Sequence, residues 1–377
     1  MKKKILFLTG TRADFGKMKT LMKNVEDSKE FECHIFVTGM HMLSTYGATY
    51  EEVKKCGFKN IFVYINQIAD NKAAMDMVLA STVEGLGHYV REFRPDLIVI
   101  HGDRVEALAG AIVGALNNIL VAHIEGGEVS GTVDELIRHA ATKLVHLHFV
   151  ANNKAKNRLI QMGESKDSVF VIGSPDVDIM LSNDLPGIKE SKKRYQIDFD
   201  KYAIFIYHPV TTDLASTRKN IRQVIEAIEE SGWNYIIIYP NNDAGSEIIF
   251  EELTKLKDNK RYRIFPSIRF EYFLTSLKNA KAIVGNSSTG IRTAPVYGVP
   301  TVNIGSRQEK RFNYPSIMNV SEDRDAILKA LNNLPKSVKP SMHFGSGNSA
   351  EKFVECLKNQ KVWKTSRQKV FRDLNLL

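Results

Sequence analysis

Residues 97–139 read LIVIHGDRVEALAGAIVGALNNILVAHIEGGEVSGTVDELIRH and contain two short apolar segments on either side of an alanine-rich one. Residues 97–100 and 119–122 are rich in isoleucine, leucine and valine, which is typical of buried strands. The segment between them has helical composition. This order predicts a strand, a crossover helix and a parallel strand, the repeating unit of a doubly wound α/β sheet.

Acidic and basic side chains follow both of these strands. His101, Asp103 and Arg104 follow the first strand, His123 and Glu125 follow the second, and Asp134 begins the next helix. Ligands of open α/β sheets bind just beyond the carboxyl ends of the strands, so we expect Asp103 and Glu125 to face one another across a shared crevice. A strand-end carboxylate can instead simply cap a helix. Two such strand ends in succession favour a functional site.

The composition narrows the class of protein. At roughly 150 residues per domain, the length of 377 residues predicts two or three domains. No apolar run approaches the roughly 20 residues that span a bilayer, and the start MKKKILFLTG reaches a glycine too soon for a signal peptide. We therefore expect a cytoplasmic protein without a membrane partner. Three cysteines without a C-x-x-C pair predict reduced thiols, with neither a disulfide framework nor a zinc site.

The net charge of +9 is spread along the chain, without an arginine-rich tract or interleaved aromatic residues. We therefore expect no nucleic-acid partner and instead an anionic small molecule bound by a few of the basic residues.

The alternation of strand and helix continues along the chain and predicts a second domain. About seven β segments precede residue 173, and a second α/β series runs from residue 203 to residue 304. Gly173-Ser174-Pro175 and the polar stretch 182–201 separate the two series. Because clefts between domains are favoured ligand sites, we expect the ligand there.

The first turn, GTRADFGK at residues 10–17, lies between a strand and a helix. A glycine turn in this position can present free backbone N–H groups to an anion, and Arg12 is well placed to join them. The turn matches neither the dinucleotide nor the ATP-binding glycine pattern, so its phosphate signal is weak. In the loop after the second strand, we expect His41 to lie at the surface.

Three strand ends of the second half carry candidate binding residues. His208 follows a strand directly, where an imidazole can donate or accept a proton near neutral pH, although a core histidine is the alternative. The turn YPNNDAG, residues 239–245, is compatible with simple turn chemistry. The segment GNSSTGIR, residues 285–292, offers hydroxyls and N–H groups to a diphosphate, although serine-rich helix caps are common. Arg307 and Arg311 add cations, a combination that suits the pyrophosphate of a nucleotide sugar.

Together these motifs resemble a known family. The segments are GTRADFGK, VTGMH, HGDR, HIEGGEVSGTVDE, HPVTT, YPNNDAG, FPSIRFEYF, GNSSTGIR and YGVPTVNIGSRQ. In this order they resemble the hydrolysing UDP-N-acetylglucosamine 2-epimerases of bacterial sialic acid biosynthesis, over nearly the whole chain. The resemblance implies a GT-B-like α/β fold of two Rossmann-like domains whose parallel sheets face an interdomain cleft. The domains would span residues 1–178 and 179–361, with a C-terminal helix over 362–377 that crosses back to the first domain.

The resemblance also implies an activity. Members convert UDP-N-acetylglucosamine and water to N-acetylmannosamine and UDP, with no cofactor and no metal, and form dimers or tetramers. A proton is removed at C2 and UDP is expelled from C1, which leaves a 2-acetamidoglucal to which water adds from the opposite face. Asp103, Glu125 and Asp134 match the family's acidic positions, and His208 matches the histidine near the leaving diphosphate. Which carboxylate is base and which is acid stays open. The positions that match nucleotide and sugar contacts are Arg12, Gly16, Arg104, Asn241, Ser287, Ser288 and Arg307.

One position departs from the pattern, and the exact activity is not fixed by the motifs. After Gly-Ile-Arg the family commonly has a glutamate that binds the ribose hydroxyls, whereas this chain has Thr293. A sibling hydrolysing UDP-N,N'-diacetylbacillosamine 2-epimerase is the nearest competing reading, but that branch tends to carry histidine at the position of Glu125. A non-hydrolysing epimerase is a further alternative, but the motifs HGDR and IEGGE point away from it. From a different class, a GT-B glycosyltransferase and a non-catalytic UDP-sugar-binding regulator stay open.

Overall fold

The computed structural model describes residues 2–67, 74–130, 133–241, 243–308 and 310–373. The chain divides into two compact units. Unit 1 comprises Met1–Glu128, Asp134–Ser182 and His343–Leu377, and unit 2 comprises Val129–Val133 and Asn183–Met342.

Unit 1 is built on a parallel sheet that contains seven strands within the described residues. They are β1 (Lys3–Thr9), β2 (Phe31–Val37), β3 (Asn60–Val63), β4 (Leu97–His101), β5 (Leu120–Ile124), β6 (Leu147–Val150) and β7 (Val169–Val171). Their spatial order is β3-β2-β1-β4-β5-β6-β7, so the order reverses between β1 and β4. Ligands of doubly wound sheets bind at such a reversal, beyond the strand ends.

Helices connect these strands and cover both faces of the sheet. They are α1 (Arg12–Glu26), α2 (Tyr50–Lys55), α3 (Met75–Phe93), α4 (Val105–Leu116), α5 (Val133–Leu144), α6 (Asn153–Gln161) and α7 (Pro175–Met180). Ile5 and Phe7 belong to the core on one face, while Leu6 and Leu8 belong to the core on the other. Because both faces are buried, the strands read as continuous apolar runs. The strand–helix–strand unit predicted over residues 97–122 is confirmed by β4, α4 and β5.

Helix α1 shows how the sequence sets a boundary. The side chain of Thr11 accepts a hydrogen bond from the backbone N–H of Asp14 at 3.1 Å, and the Asp14 carboxylate accepts one in return from the Thr11 N–H. This reciprocal capping box satisfies two N–H groups that a helix start otherwise leaves unpaired. The buried face follows at intervals of three or four residues: Phe15, Met18, Leu21, Met22 and Val25.

Unit 2 repeats the same architecture with a parallel sheet in the order β10-β9-β8-β11-β12-β13, six strands among its described residues. The strands are β8 (Ala203–Ile206), β9 (Tyr235–Ile238), β10 (Tyr262–Phe265), β11 (Ile283–Gly285), β12 (Thr301–Ile304) and β13 (Ile317–Val320). The helices are α8 (Ile188–Tyr195), α9 (Thr217–Glu230), α10 (Ser246–Thr254), α11 (Phe270–Lys278), α12 (Ser288–Arg292) and α13 (Arg324–Asn332). The strand order reverses between β8 and β11, which makes their carboxyl ends the expected ligand position of this unit.

The last part of the chain differs from the expectation. We expected one helix over residues 362–377 to join the first domain, but the chain already rejoins unit 1 at His343 and forms α14 (Ser349–Lys358) and α15 (Gln360–Trp363). Residues 364–373 contain no helix, and residues 374–377 lie outside the described residues. The ammonium of Lys369 donates instead to the carbonyls of Thr142 and Val145. These hydrogen bonds attach the non-helical segment to unit 1.

In the part of the chain that the structure describes, none of the helices combines the length and the apolarity that a membrane span requires.

Candidate functional site

The turn after β1 differs from the expectation of free N–H groups. The Asp14 carboxylate accepts hydrogen bonds from the N–H groups of Gly10, at 3.0 Å, and Thr11, at 3.1 Å. These donors therefore serve the start of α1, and the prediction that they are free for an anion is wrong. Arg12 forms an ion pair with Glu52, and Gly16 lies on the buried side of α1.

Glu125 directly follows β5 and lies in a strained and buried position. Its backbone φ is 67°, in the left-handed region that side-chain-bearing residues rarely adopt, and the residue is only 4% exposed. The Ser174 hydroxyl donates to its Oε1 at 2.9 Å. Lys17 Nζ lies 3.7 Å from the same oxygen, and His101 Nε2 lies 3.6 Å from it. Glu125 is thus a buried carboxylate with a cation, an imidazole and a hydroxyl donor close to one of its oxygens.

Asp103 lies in the turn after β4 and forms an ion pair with Arg138 of α5. The Arg138 side chain is 1% exposed, whereas that of Asp103 is 26% exposed and can therefore reach a ligand. Arg138 also donates to the carbonyl of Glu128 at 3.3 Å. Asp134 lies in the first turn of the same helix. Helix α5 thus contributes both an acidic side chain and the cation that orients Asp103.

Arg104 precedes α4 and is oriented by a carboxylate of that helix. Its Nε donates to Glu106 Oε2 at 3.2 Å, and the Glu106 side chain is almost fully buried. The side chain of Arg104 itself stays partly exposed. This contact with a buried carboxylate fixes the direction of the Arg104 guanidinium.

In unit 2, hydrogen bonds join the ends of β8 and β11. The Asn286 side chain accepts from the His208 N–H at 2.7 Å and donates to the His208 carbonyl at 2.8 Å. Gly285 makes this approach possible, because a Cβ there would lie 1.9 Å from the Ile206 carbonyl oxygen and its φ is 128°. His208 and Ser287, which the sequence analysis named as candidates, therefore lie at adjacent strand ends.

The tautomer of His208 follows from its contacts. Its Nδ1 accepts a hydrogen bond from the backbone N–H of Asn241 at 3.1 Å. In the neutral ring the proton must then reside on Nε2, which makes that atom a hydrogen-bond donor. The main chain of Asn241 thus orients the imidazole, and contact of its side chain with a nucleotide stays a prediction.

The serine-rich loop after β11 is fixed by its neighbours. The Ser287 side chain accepts a hydrogen bond from the Thr289 N–H at 3.3 Å and so caps α12. Capping was the alternative to diphosphate binding that the sequence left open for this segment. Ser288 is the first residue of the helix. From the loop after β12, Arg307 donates to the Asn286 carbonyl at 3.4 Å and Gln308 donates to it at 3.2 Å. One loop therefore positions the other, and two of the predicted diphosphate contacts, Ser287 and Arg307, are parts of this arrangement.

Within the described ranges, no group of three histidine, cysteine, aspartate or glutamate side chains is arranged as a metal site would require.

Comparison with known proteins decides the family. A family model described as UDP-N-acetylglucosamine 2-epimerase matches residues 23–358. The chain belongs to the UDP-N-acetylglucosamine 2-epimerase family. The resemblance seen in the sequence motifs is thereby confirmed.

Two relatives and one solved structure illustrate this membership of the epimerase family. A UDP-N-acetylglucosamine 2-epimerase of Neisseria meningitidis is 47% identical over 99% of this chain and 100% of its own length. A UDP-N,N'-diacetylbacillosamine 2-epimerase (hydrolyzing) of Legionella pneumophila is 36% identical over 95% and 96%. The Methanocaldococcus jannaschii UDP-GlcNAc 2-epimerase, solved with UDP-GlcNAc and UDP, has a TM-score of 0.78 at 23% identity and covers 94% of this chain and 99% of its own. That likeness confirms the GT-B-like α/β fold class.

In this member of the epimerase family, four side chains to which the sequence motifs assigned no role contact the predicted carboxylates. Lys17, His101 and Ser174 surround Glu125, and Arg138 holds Asp103. Lys17 and His101 lie inside family-like motifs, and Arg138 lies three residues after the end of one, which is a usable signal. Ser174 lies 49 residues from Glu125, inside the predicted domain boundary, so spacing alone gives no reason to pair them.

Proposed function

We propose that this protein is a hydrolysing UDP-N-acetylglucosamine 2-epimerase that releases N-acetylmannosamine and UDP in the cytoplasm for sialic acid biosynthesis. The arrangement around Asp103 and Glu125 carries the proposal. Both carboxylates lie at ends of neighbouring strands of one sheet, and each has a cationic partner. We also propose that the protein forms a homo-oligomer, either a dimer or a tetramer. Sedimentation of the purified protein tests this proposal.

The chemistry requires a base and a stabilised leaving group at the same time. The C2 hydrogen of the sugar is not acidic, so a carboxylate must remove it as the C1–O bond breaks and UDP departs with the bonding electrons. Asp103 and Glu125 are the proposed proton-transfer groups, and Asp134 is the third acidic group. Water then adds to C1 of the 2-acetamidoglucal, and a proton returns to C2 on the opposite face. The net result is N-acetylmannosamine and UDP.

The residues of unit 2 suit the diphosphate. The Nε2–H of His208 is a donor that can stabilise the charge that develops on the leaving UDP. Arg307, Ser287, Ser288 and Asn241 are the proposed nucleotide contacts of this unit. Arg12, Gly16 and Arg104 are the proposed contacts of unit 1. The partial exposure of Arg104, together with its support by Glu106, favours a role in binding an anion or a sugar hydroxyl.

NMR of the reaction in deuterated water tests the function. We expect UDP-N-acetylglucosamine to give free N-acetylmannosamine with deuterium at C2 and one equivalent of UDP. UDP-linked N-acetylmannosamine would instead identify a non-hydrolysing epimerase. Unlabelled C2 together with transfer to an acceptor would identify a glycosyltransferase, and UDP binding without turnover would identify a regulator.

The nearest alternative substrate is UDP-N,N'-diacetylbacillosamine, on which a relative at 36% identity is named to act. The carboxylate at position 125 and the higher identity to a UDP-N-acetylglucosamine 2-epimerase favour N-acetylglucosamine. Measuring kcat/KM for both UDP-sugars in parallel decides between them. A ratio in favour of the diacetamido sugar would overturn the proposed substrate and leave the reaction type intact.

Thr293 provides a prediction about nucleotide affinity. It is buried at the end of α12, where the family commonly has a glutamate. A threonine hydroxyl is short and neutral, whereas a carboxylate can accept from both ribose hydroxyls. Hydrogen bonds to a charged group contribute about 1.5–3 kcal/mol, so we expect Thr293→Glu to bind UDP about 10-fold more tightly by calorimetry.

Two controls make this measurement specific. Thr293→Gln has similar length without the charge and should gain less. The gain of Thr293→Glu should shrink with 2'-deoxy-UDP, which lacks one of the two hydroxyls. Unchanged UDP affinity in Thr293→Glu, with the folded state intact, would remove the idea that this position contacts the ribose.

A further inference from the structure

The backbone turn that carries Asp103 is held by the neighbouring strand. Gly102 adopts a φ of 73°, and its N–H donates to the Ile124 carbonyl of β5 at 3.0 Å. Its carbonyl oxygen lies 2.7 Å from Nε2 of His123, also on β5. The N–H and the carbonyl of Gly102, which precedes Asp103, are therefore both bonded to β5, and Glu125 directly follows that strand.

The His123 ring is enclosed and can act only as a donor toward this carbonyl. The residue is 0% exposed. A carbonyl oxygen accepts and never donates, so Nε2 must carry the proton and Nδ1 must be bare. Nδ1 makes no hydrogen bond to any described residue. A Cβ at Gly126 would lie 3.2 Å from Nδ1, so the glycine leaves the space in which the ring sits.

The ring also stays neutral under ordinary conditions. Burial lowers the pKa of His123 to about 3, with smaller opposite contributions from the bond to Gly102 and from Glu125. The imidazoles of His148 and His101 lower the pKa further. His123 therefore carries the same proton on the same atom throughout the neutral range, which suits a fixed structural donor and excludes a role as a titrating acid or base.

We infer that His123 is a positioning residue for the reaction, which holds the Gly102–Asp103 turn in register with Glu125. The inference rests on the proposed function, in which both carboxylates act at the same sugar. Asp103 is then fixed at two points, by His123 through its backbone and by Arg138 through its carboxylate. A misplacement of about 1 Å in a reacting group can cost about 100-fold in rate.

Two amides of different length test the inference. The side-chain nitrogen of glutamine reaches about as far as Nε2, whereas that of asparagine reaches only the position of Nδ1. We expect His123→Asn to lower kcat by about 10- to 100-fold with little change in KM or in UDP affinity. His123→Gln should restore most of kcat, because it can still donate to the Gly102 carbonyl. Melting temperatures of both variants show whether they are comparably folded.

The rates and stabilities of the two variants decide whether His123 positions the Gly102–Asp103 turn. Equal loss of kcat in both variants, in step with equal loss of stability, would show that the ring only fills space and would overturn the inference. Wild-type kcat in His123→Asn would overturn it as well. If the wild-type protein itself releases no UDP from either UDP-sugar, the proposed function fails instead.

A measurement on the unmodified protein does not depend on how the variants fold. In ¹⁵N NMR of the wild-type imidazoles, we expect one ring in the pure Nε2–H form that does not titrate between pH 5 and pH 9. Assignment of His123 as the Nδ1–H form, or as a ring that titrates in this range, would overturn the inference whatever the activity.

Discussion

Replacing Asp103 with asparagine is expected to lower kcat for UDP release by about 100- to 10,000-fold, the usual range for loss of a general acid or base. Glu125→Gln should have an effect of similar size. Both changes preserve shape and remove the proton-accepting charge. Because the proposed UDP contacts of unit 2 are untouched, the dissociation constant of UDP should change little, and calorimetry measures it alongside the rate.

The same two variants can separate base from acid. Supplying 2-acetamidoglucal with UDP starts the reaction after the C2 proton has been removed. The variant that lacks the base should still hydrate this intermediate, whereas the variant that lacks the proton donor to C2 should not. ¹H NMR follows both conversions.

A matched control lies on the same helix as Asp134. Glu135 is partly exposed, and its Oε1 lies 3.3 Å from Nε2 of His139 on the same helix. Glu135→Gln should therefore keep wild-type kcat. Full activity in Asp103→Asn, or an equal loss in Glu135→Gln, would contradict the assignment of Asp103.

The second large effect concerns stability and involves the C-terminal segment. Lys369 Nζ lies 2.6 Å from a carboxylate oxygen of Glu164, and Lys143 and His148 donate to the same carboxylate at 2.7 and 3.1 Å. The Glu164 side chain is only 2% exposed. Removing one partner of a buried ion pair leaves a charge poorly compensated, which costs about 3 kcal/mol or more. We expect Lys369→Met to lower the melting temperature of the unit by roughly 10 °C.

The acid dependence of this contribution has a defined sign. Burial alone would raise the pKa of Glu164, but the hydrogen bonds from His148, Lys143 and Lys369 lower it to about 2. A depressed pKa stabilises the folded state above the ordinary value of about 4.5, and this contribution is lost as the pH falls toward 2. The difference in unfolding free energy between wild type and Lys369→Met should therefore become smaller as the pH falls from about 4.5 toward 2.

Lys364→Met is the matched control, because Lys364 is exposed and belongs to the same segment. It should unfold like the wild type. Denaturant unfolding measured for both variants at neutral pH decides the question. A Lys369→Met protein as stable as Lys364→Met would show that the contact with Glu164 contributes nothing to the fold.

Much of the fold could be predicted because its signals are local. The apolar runs of β4 and β5 and the helical composition of α4 are fixed by burial periodicity along a few residues. Strand ends then indicate where ligands bind, and Asp103, Glu125 and His208 each follow such a strand end. The family motifs added the reaction.

The wrong expectations share a physical cause. The N–H groups of Gly10 and Thr11 were expected to be free, yet Asp14 accepts from both. His41 was expected at the surface but is fully buried and bonded to Thr9 and Thr49. The sequence shows that a hydrogen-bond donor exists but does not indicate which acceptor it contacts in the folded protein.

The sequence by itself determined the α/β class, the two-part organisation, the family and the acidic strand ends, because each of these depends on patterns within short segments. Only the tertiary structure decided which cations and donors meet those acids. Ser174 meets Glu125 across 49 residues and Lys369 meets Glu164 across 205. Such pairs form because the folded sheet and its helices bring distant residues together, and the free energy of satisfying a buried charge then selects the partner.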